Sequence, residues 1–151
     1  MARRSAIKTN SSGSTRDSAN YRRPFCARSC RVSLNGTRAA RYREQLGDVG
    51  GLTLPVVAPW AEPVWHLFVV RTQWRDALQK HLAAAGIGTQ IHYPVPPHLS
   101  RAYANSGWKR GDFPLAERFA DEVLSLPIGP HVSAAQADYV CSEARKFFQT
   151  T

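Results

Sequence analysis

Acidic residues are almost missing from the first third of this chain. Residues 1–43 hold eleven Lys or Arg and a single acid, Asp17, whereas residues 44–151 hold nine Lys or Arg and ten acids. The net charge of +9 is therefore a property of the amino-terminal arm, and the body, at −1, offers a polyanion no basic face. Cysteine is scarce and odd in number: Cys26, Cys30 and Cys141. With no recognisable secretory leader, this argues against a disulfide framework. Cys26 and Cys30 have the spacing of half a metal site, but no His or Cys follows at finger-like spacing, so no metal is expected. No apolar run approaches the ~18 residues of a membrane span, and a cytoplasmic location is expected. The Arg- and Ser-rich start has the composition of a transit peptide without its amphipathic helix. Neither a G-x-S-x-G elbow nor triad spacing is present.

Residues 1–36 show neither helical nor strand periodicity, and such a segment cannot offset its ordering entropy, so disorder is expected there. From Thr37 the pattern changes. Arg38–Leu46 reads as a helix ended by Gly47, and Leu52–Leu54 as a short strand. Val64–Val70 is nearly all apolar and reads as a central strand buried on both faces. Its His66 reads as a hydrogen-bonded sheet residue. Gln73–Ala85 reads as a helix with Trp74, Leu78 and Leu82 on one stripe and Gly86 as its cap. Thr89–Ile91 is a short strand, and residues 92–113 are mostly loop with a helical turn at 99–105. Asp112 is a candidate cap for a helix from Pro114, with Leu115, Phe119 and Val123 as its stripe. Leu124–Leu126 is a strand. Ser133 and Gln136 form a capping-box pattern ahead of a last helix burying Ala137, Val140, Cys141, Ala144 and Phe148. This order predicts an α+β, two-layer domain with a mixed or antiparallel sheet over residues 37–151.

One loop stands out: Gly86-Ile87-Gly88-Thr89-Gln90-Ile91-His92-Tyr93-Pro94-Val95-Pro96-Pro97-His98. Prolines fix φ and remove donors, so this loop holds its side chains still at low entropic cost. His92, Tyr93 and His98 are the candidate ligand-binding residues. Near neutrality an imidazole donates to a ligand hydroxyl or, protonated, pairs with an anion. The competing reading has these rings close the loop on its own backbone. Arg71 and Arg101 could reach a phosphate, and Tyr103 and Trp108 could pack beside a base. Salt bridging and core packing are the plainer readings. Asp121 and Glu122 read as solvated.

Ala40–Leu46, Trp65–Arg71 with Arg75 and Leu78, Gly86–Thr89, His92–His98, Tyr103, Phe113–Glu117 and Ser125–Pro127 follow one another in a characteristic order. Residues 38–148 in this way resemble the C-terminal small domain of the DegT/DnrJ/StrS family of pyridoxal-phosphate-dependent sugar-nucleotide aminotransferases. The resemblance implies the small domain of a fold-type-I transferase, with sugar nucleotide and glutamate as substrates and a homodimer as the full-length assembly. It places His92 and its loop on the substrate side of the cofactor. The chain departs from the family in that Lys8, Lys80, Lys109 and Lys146 all lie outside the context of the cofactor lysine. An acid for the pyridine nitrogen and a phosphate cup are also missing. No catalytic or cofactor-binding residue is therefore assigned, no cofactor is expected on this chain alone, and it is expected to be inactive alone. In the family the first helix follows a GFNSRL-type segment. A permissible choice of codons for Ile7–Gly36, read two bases downstream, restores that motif, so the arm is expected to be out of frame. Two other readings are carried: a nucleic-acid-binding protein using the basic arm, nonspecifically, through residues 1–36, and a docking partner of an intact aminotransferase. Marginal stability in isolation is expected.

Overall fold

The computed structural model describes the backbone of residues 26–150 and the side chains of residues 35–150. Among the described residues four α-helices and two strands follow in order: α1 (Cys26–Leu46), β1 (Phe68–Arg71), α2 (Arg75–Ala84), α3 (Pro114–Glu122), β2 (Val123–Leu126) and α4 (Ala134–Gln149), with two 3-10 turns at Pro97–Leu99 and Arg101–Tyr103 between α2 and α3. β1 and β2 pair antiparallel, Phe68 opposite Leu126 and Arg71 opposite Val123. Single bridges extend the sheet on either side, Thr53 to Arg71 and Gln90 to Ser125.

Register puts Phe68, Val70, Leu124 and Leu126 on one face, since strand side chains alternate. All four are buried, and the helices cover them. α1 brings Ala39, Tyr42 and Leu46, spaced along one helical stripe, and each is fully buried. α4 brings Ala137, Val140, Cys141 and Ala144, and α2 brings Leu78 and Leu82. Each large side chain buried this way contributes about 1.5–3 kcal/mol. α4 packs against both α1 and α2. Polar clasps fix the α1–α4 register: Arg41 Nη1 and Gln45 Nε2 both donate to Asp138 Oδ1 at 2.6 Å, and Arg145 Nε donates to the Gln45 carbonyl at 2.6 Å. The hydrogen bond from Arg41 is the main reason the Asp138 carboxyl sits below the usual carboxylate range.

Several expectations are corrected. α1 starts at Cys26 rather than at the expected Arg38, and residues 1–25 of the arm expected to be disordered lie outside the described residues. β1 is four residues long, and Val64 and Leu67 of the expected strand are exposed. The strand buried on both faces is β2. It lies between β1 and the Gln90 bridge, with helices on one face and His92 against Ser125 on the other. Leu52–Leu54 and Thr89–Ile91 make one bridge each. In α2, Trp74 is 43% exposed, stacked edge-on against Phe148, and the buried partner of Leu78 and Leu82 is Arg75, whose Nη1 donates to the Ala120 carbonyl at 2.9 Å. Of the expected α3 stripe, Leu115 and Phe119 are exposed and Val123 is buried as the first residue of β2, while Glu117 and Ala120 are the buried residues of the helix. Phe113, not Asp112, is the cap residue. Glu122 is half-buried between Arg71 and Arg118 rather than solvated. The capping box of α4 forms as expected, Gln136 N–H donating to Ser133 Oγ at 3.1 Å and Ser133 N–H to Gln136 Oε1 at 2.8 Å.

Candidate functional site

α2 ends where Gly86 takes φ 76°, a left-handed conformation that glycine adopts without a Cβ penalty. The chain then turns back along β2. Ser125 N–H donates to the Gln90 carbonyl at 2.7 Å, and Gln90 N–H to the Ser125 carbonyl at 3.2 Å. This paired bridge sets His92 beside the same serine: His92 Nδ1 lies 2.8 Å from Ser125 Oγ. A hydroxyl either donates or accepts, so Ser125 holds either imidazole tautomer and leaves Nε2 for a ligand.

His92 and Ser125 are part of the wall of a cavity of about 350 Å³. Gly88, Thr89 and Gln90 form one side, His66 and Leu67 another, and Leu126, Pro127, Ile128 and His131 the third. Its walls are braced from α1. Tyr42 Oη donates to the Pro127 carbonyl at 2.7 Å, and Asn35 Nδ2 to the Trp65 carbonyl at 3.1 Å. The Arg38 guanidinium donates to the Val132 carbonyl. Burial pushes the Tyr42 phenol well up, so it stays a neutral donor. Gly129 matters by what it lacks: a Cβ there would lie 2.5 Å from the His131 ring. Thr89 Oγ1 is buried without a hydrogen-bond partner.

The three ligand-binding candidates part company. His92 lines the cavity. Tyr93 is 74% exposed, its ring edge-on to His92 at 5.7 Å. His98 is buried, with Nε2 at 2.9 Å from Glu117 Oε1 and its ring 4.8 Å from that of Phe113. Glu117 also accepts from Gly111 N–H at 2.8 Å; that bond, ahead of the one from His98, holds its carboxyl below the usual range. His98 thus fastens the 97–117 loop. Tyr103 and Trp108 pack on each other, centroids 5.8 Å apart. Arg71 pairs with Glu122 at 2.7 Å and lies 4.4 Å over the Phe119 ring, while Arg101 is exposed. His66, read from sequence as a sheet residue, is exposed and faces the cavity instead. His131 was missed, because its only signal is spatial.

A two-stranded antiparallel sheet under three helices, with a proline-stiffened histidine loop along β2, is the architecture of a transferase small domain. The DegT/DnrJ/EryC1/StrS aminotransferase family model matches residues 31–145, and the chain belongs to that family. It is 58% identical over 104 residues to the erythromycin biosynthesis sensory transduction protein EryC1 of Saccharopolyspora erythraea, covering 69% of this chain and 28% of that protein. It is 52% identical over 118 residues to the dTDP-3-amino-3,4,6-trideoxy-alpha-D-glucose transaminase of Streptomyces venezuelae, covering 76% and 31%. Among solved structures, S. venezuelae DesV in complex with a ketimine intermediate superposes with a TM-score of 0.78 at 48% identity, over 80% of this chain and 33% of that one. The chain thus spans about a third of the length of the relatives it matches.

Pyridoxal phosphate is the family's cofactor, and the cavity's donor set does not fit it. No amine lines the cavity to bond the aldehyde, and no carboxylate lines it to pair with the pyridine nitrogen. Lys80 lies on α2 and Lys109 in the exposed loop, and Lys146 pairs with Glu143 at 2.6 Å. Among the described residues no group of three or more His, Cys, Asp or Glu could hold a metal ion, and no helix is long and apolar enough to cross a membrane.

Proposed function

We propose that this chain is the sugar-nucleotide-contacting small domain of a pyridoxal-phosphate-dependent sugar aminotransferase, and that by itself it does not transaminate. The reading is carried by His92: a loop imidazole fixed by Ser125 at 2.8 Å, in the wall of a cavity lined by neutral and imidazole groups. Such a group orients a sugar hydroxyl or a phosphate oxygen. It cannot provide the covalent anchor that the cofactor's chemistry needs. Tyr93, exposed beside it, adds a flat face for the sugar, and His98 keeps the loop in place. The S. venezuelae relative, a transaminase of a dTDP-linked amino sugar, supports a nucleotide sugar as the substrate class.

The test has two parts. The purified chain is given pyridoxal phosphate, 2-oxoglutarate and a dTDP-3-amino sugar, and product is followed by mass spectrometry. No turnover is expected, and any sustained turnover ends the inactive-alone reading. Binding of dTDP is followed by the imidazole NMR signal of His92, which is expected to shift in the wild type and to be absent in His92→Gln. A dTDP titration that leaves that signal still refutes the contact role. The out-of-frame reading of the arm is tested by the DNA across those codons: upstream sequence unrelated to an aminotransferase large domain would refute it.

A further inference from the structure

One face of the molecule keeps its aromatic side chains in solvent. Tyr103, Trp108, Phe113, Leu115 and Phe119 are all exposed, Leu115 to 62%. They form one ledge rather than scattered tips. The Trp108 ring lies 5.8 Å from that of Tyr103 and 5.5 Å from that of Phe113, centroid to centroid. Phe113, Leu115 and Phe119 in turn share a groove of about 450 Å³ with Pro114 and Ala116. At ~150–250 Å² for a whole aromatic side chain, the exposed fractions amount to roughly 400 Å², the size at which an apolar patch on a soluble protein marks an interaction site. The ledge is held from behind. Phe113 lies on the buried His98 ring, His98 is tied to Glu117, and the Arg71 guanidinium sits 4.4 Å over the Phe119 ring. A partner therefore meets rings already in place and loses little side-chain entropy in ordering them.

We propose that this ledge is a docking surface for an acidic amphipathic helix of a protein partner. Charge selects the occupant. Residues 99–119 carry four cations, Arg101, Lys109, Arg110 and Arg118, all exposed, and two acids, of which Glu117 is buried and only Asp112 is exposed. Residues 44–151 sum to −1, so this rim is a local excess of positive charge around an apolar floor. A second copy of the chain would set that rim against its own like charges. A nucleic-acid strand would pair with the cations but leave Pro114, Leu115 and Ala116 without apolar contact. A helix with leucine anchors at i, i+4 and i+7 and carboxylates beside them satisfies both parts of the surface. The inference goes beyond the sugar-aminotransferase reading and does not rest on it, since the ledge shares no residue with the His92 cavity.

The probe is a synthetic peptide of about 15 residues, acetylated and amidated, with leucines at that spacing and glutamates on its other faces; free in water, a helix of this length is marginal. Titrated into the full chain, it is expected to shift the Trp108 indole NMR signal, to gain helical circular dichroism, and to bind more weakly as salt rises. Leu115→Glu, at an exposed position and so tolerated by the fold, is expected to weaken binding at least about tenfold. Arg101→Glu combined with Lys109→Glu, both exposed, is expected to weaken it about fivefold at low salt. Binding that Leu115→Glu leaves unchanged, or that a peptide with lysine in place of glutamate matches, overturns the proposal. A wild-type dimer in sedimentation that Leu115→Glu dissolves overturns it in favour of a second copy. A Trp108 shift produced by oligo(dT) and not by the peptide overturns it in favour of nucleic acid. The same shift produced by the intact S. venezuelae transaminase and not by the peptide gives the ledge to the rest of an aminotransferase chain and overturns the acidic helix.

Discussion

Replacing Tyr42 by Phe removes one oxygen from the middle of the α1 interface and leaves everything else in place. The ring is fully buried and tilted against Phe68, centroids 5.0 Å apart, and a phenylalanine keeps that contact. What goes is the 2.7 Å hydrogen bond to the Pro127 carbonyl. Stranding a buried acceptor costs about 1–3 kcal/mol, but Pro127 is only half-buried, so water can reach its oxygen and the lower end applies, about 1 kcal/mol. For a domain of this size that is a fall of about 4 °C in Tm. Tyr42→Leu loses the aromatic contact and volume as well, and is expected to cost about 2–4 kcal/mol. Both are read by urea unfolding and thermal melts. The phenol's bond also positions the 127–131 wall, so Tyr42→Phe is expected to shift the His131 imidazole signal while leaving that of His81 unmoved. A Tm within about 1 °C of wild type together with an unmoved His131 signal would refute the claim that this hydroxyl braces the cavity.

Three further outcomes are expected. Leu124→Ala, in the strand buried on both faces, costs about 3–4 kcal/mol by urea unfolding, whereas Val56→Ala, 94% exposed, changes stability by less than about 0.5 kcal/mol. Ser133→Ala breaks the capping box and costs about 1 kcal/mol, with Gln136→Ala adding little more once the serine is gone, which a double-mutant cycle measures. Burial pushes the Cys141 thiol up to about 11 and raises the Tyr42 phenol, so the folded chain holds protons that the unfolded chain releases first. Stability is then full below about pH 9 and falls as pH rises toward 11; the denaturation midpoint of Cys141→Ala is expected to decline less over that interval.

Periodicity made the helices legible, and contact made the site. α2 and α4 were readable because Leu78, Leu82, Ala137, Val140 and Ala144 repeat at helical spacing and because capping residues mark their ends. α3 was placed correctly and faced wrongly: Leu115 and Phe119 repeat as a core stripe would, yet Glu117 turns inward because Gly111 and His98, distant or irregular in sequence, supply its hydrogen bonds. The run Val64–Val70 was read too long, since an apolar run carries no signal for where its neighbour strand stops, and β2 is only four residues long. His92 was found from its loop chemistry. Its partner Ser125, 33 residues on, was read as part of a strand, and nothing local joins the two. His66 and His131 needed the folded chain to be seen as neighbours of that site.

The clasp between α1 and α4 joins residues 93 to 100 positions apart. On a ribosome that separation becomes a delay. Until α4 has emerged, Tyr42, Leu46, Phe68 and Leu124 have no lid, and the half-made layer presents its apolar face to whatever is nearby. α4 is therefore the element that closes this layer. A chain stalled before residue 134 is, in physical terms, a substrate for chaperones rather than a smaller version of the same domain.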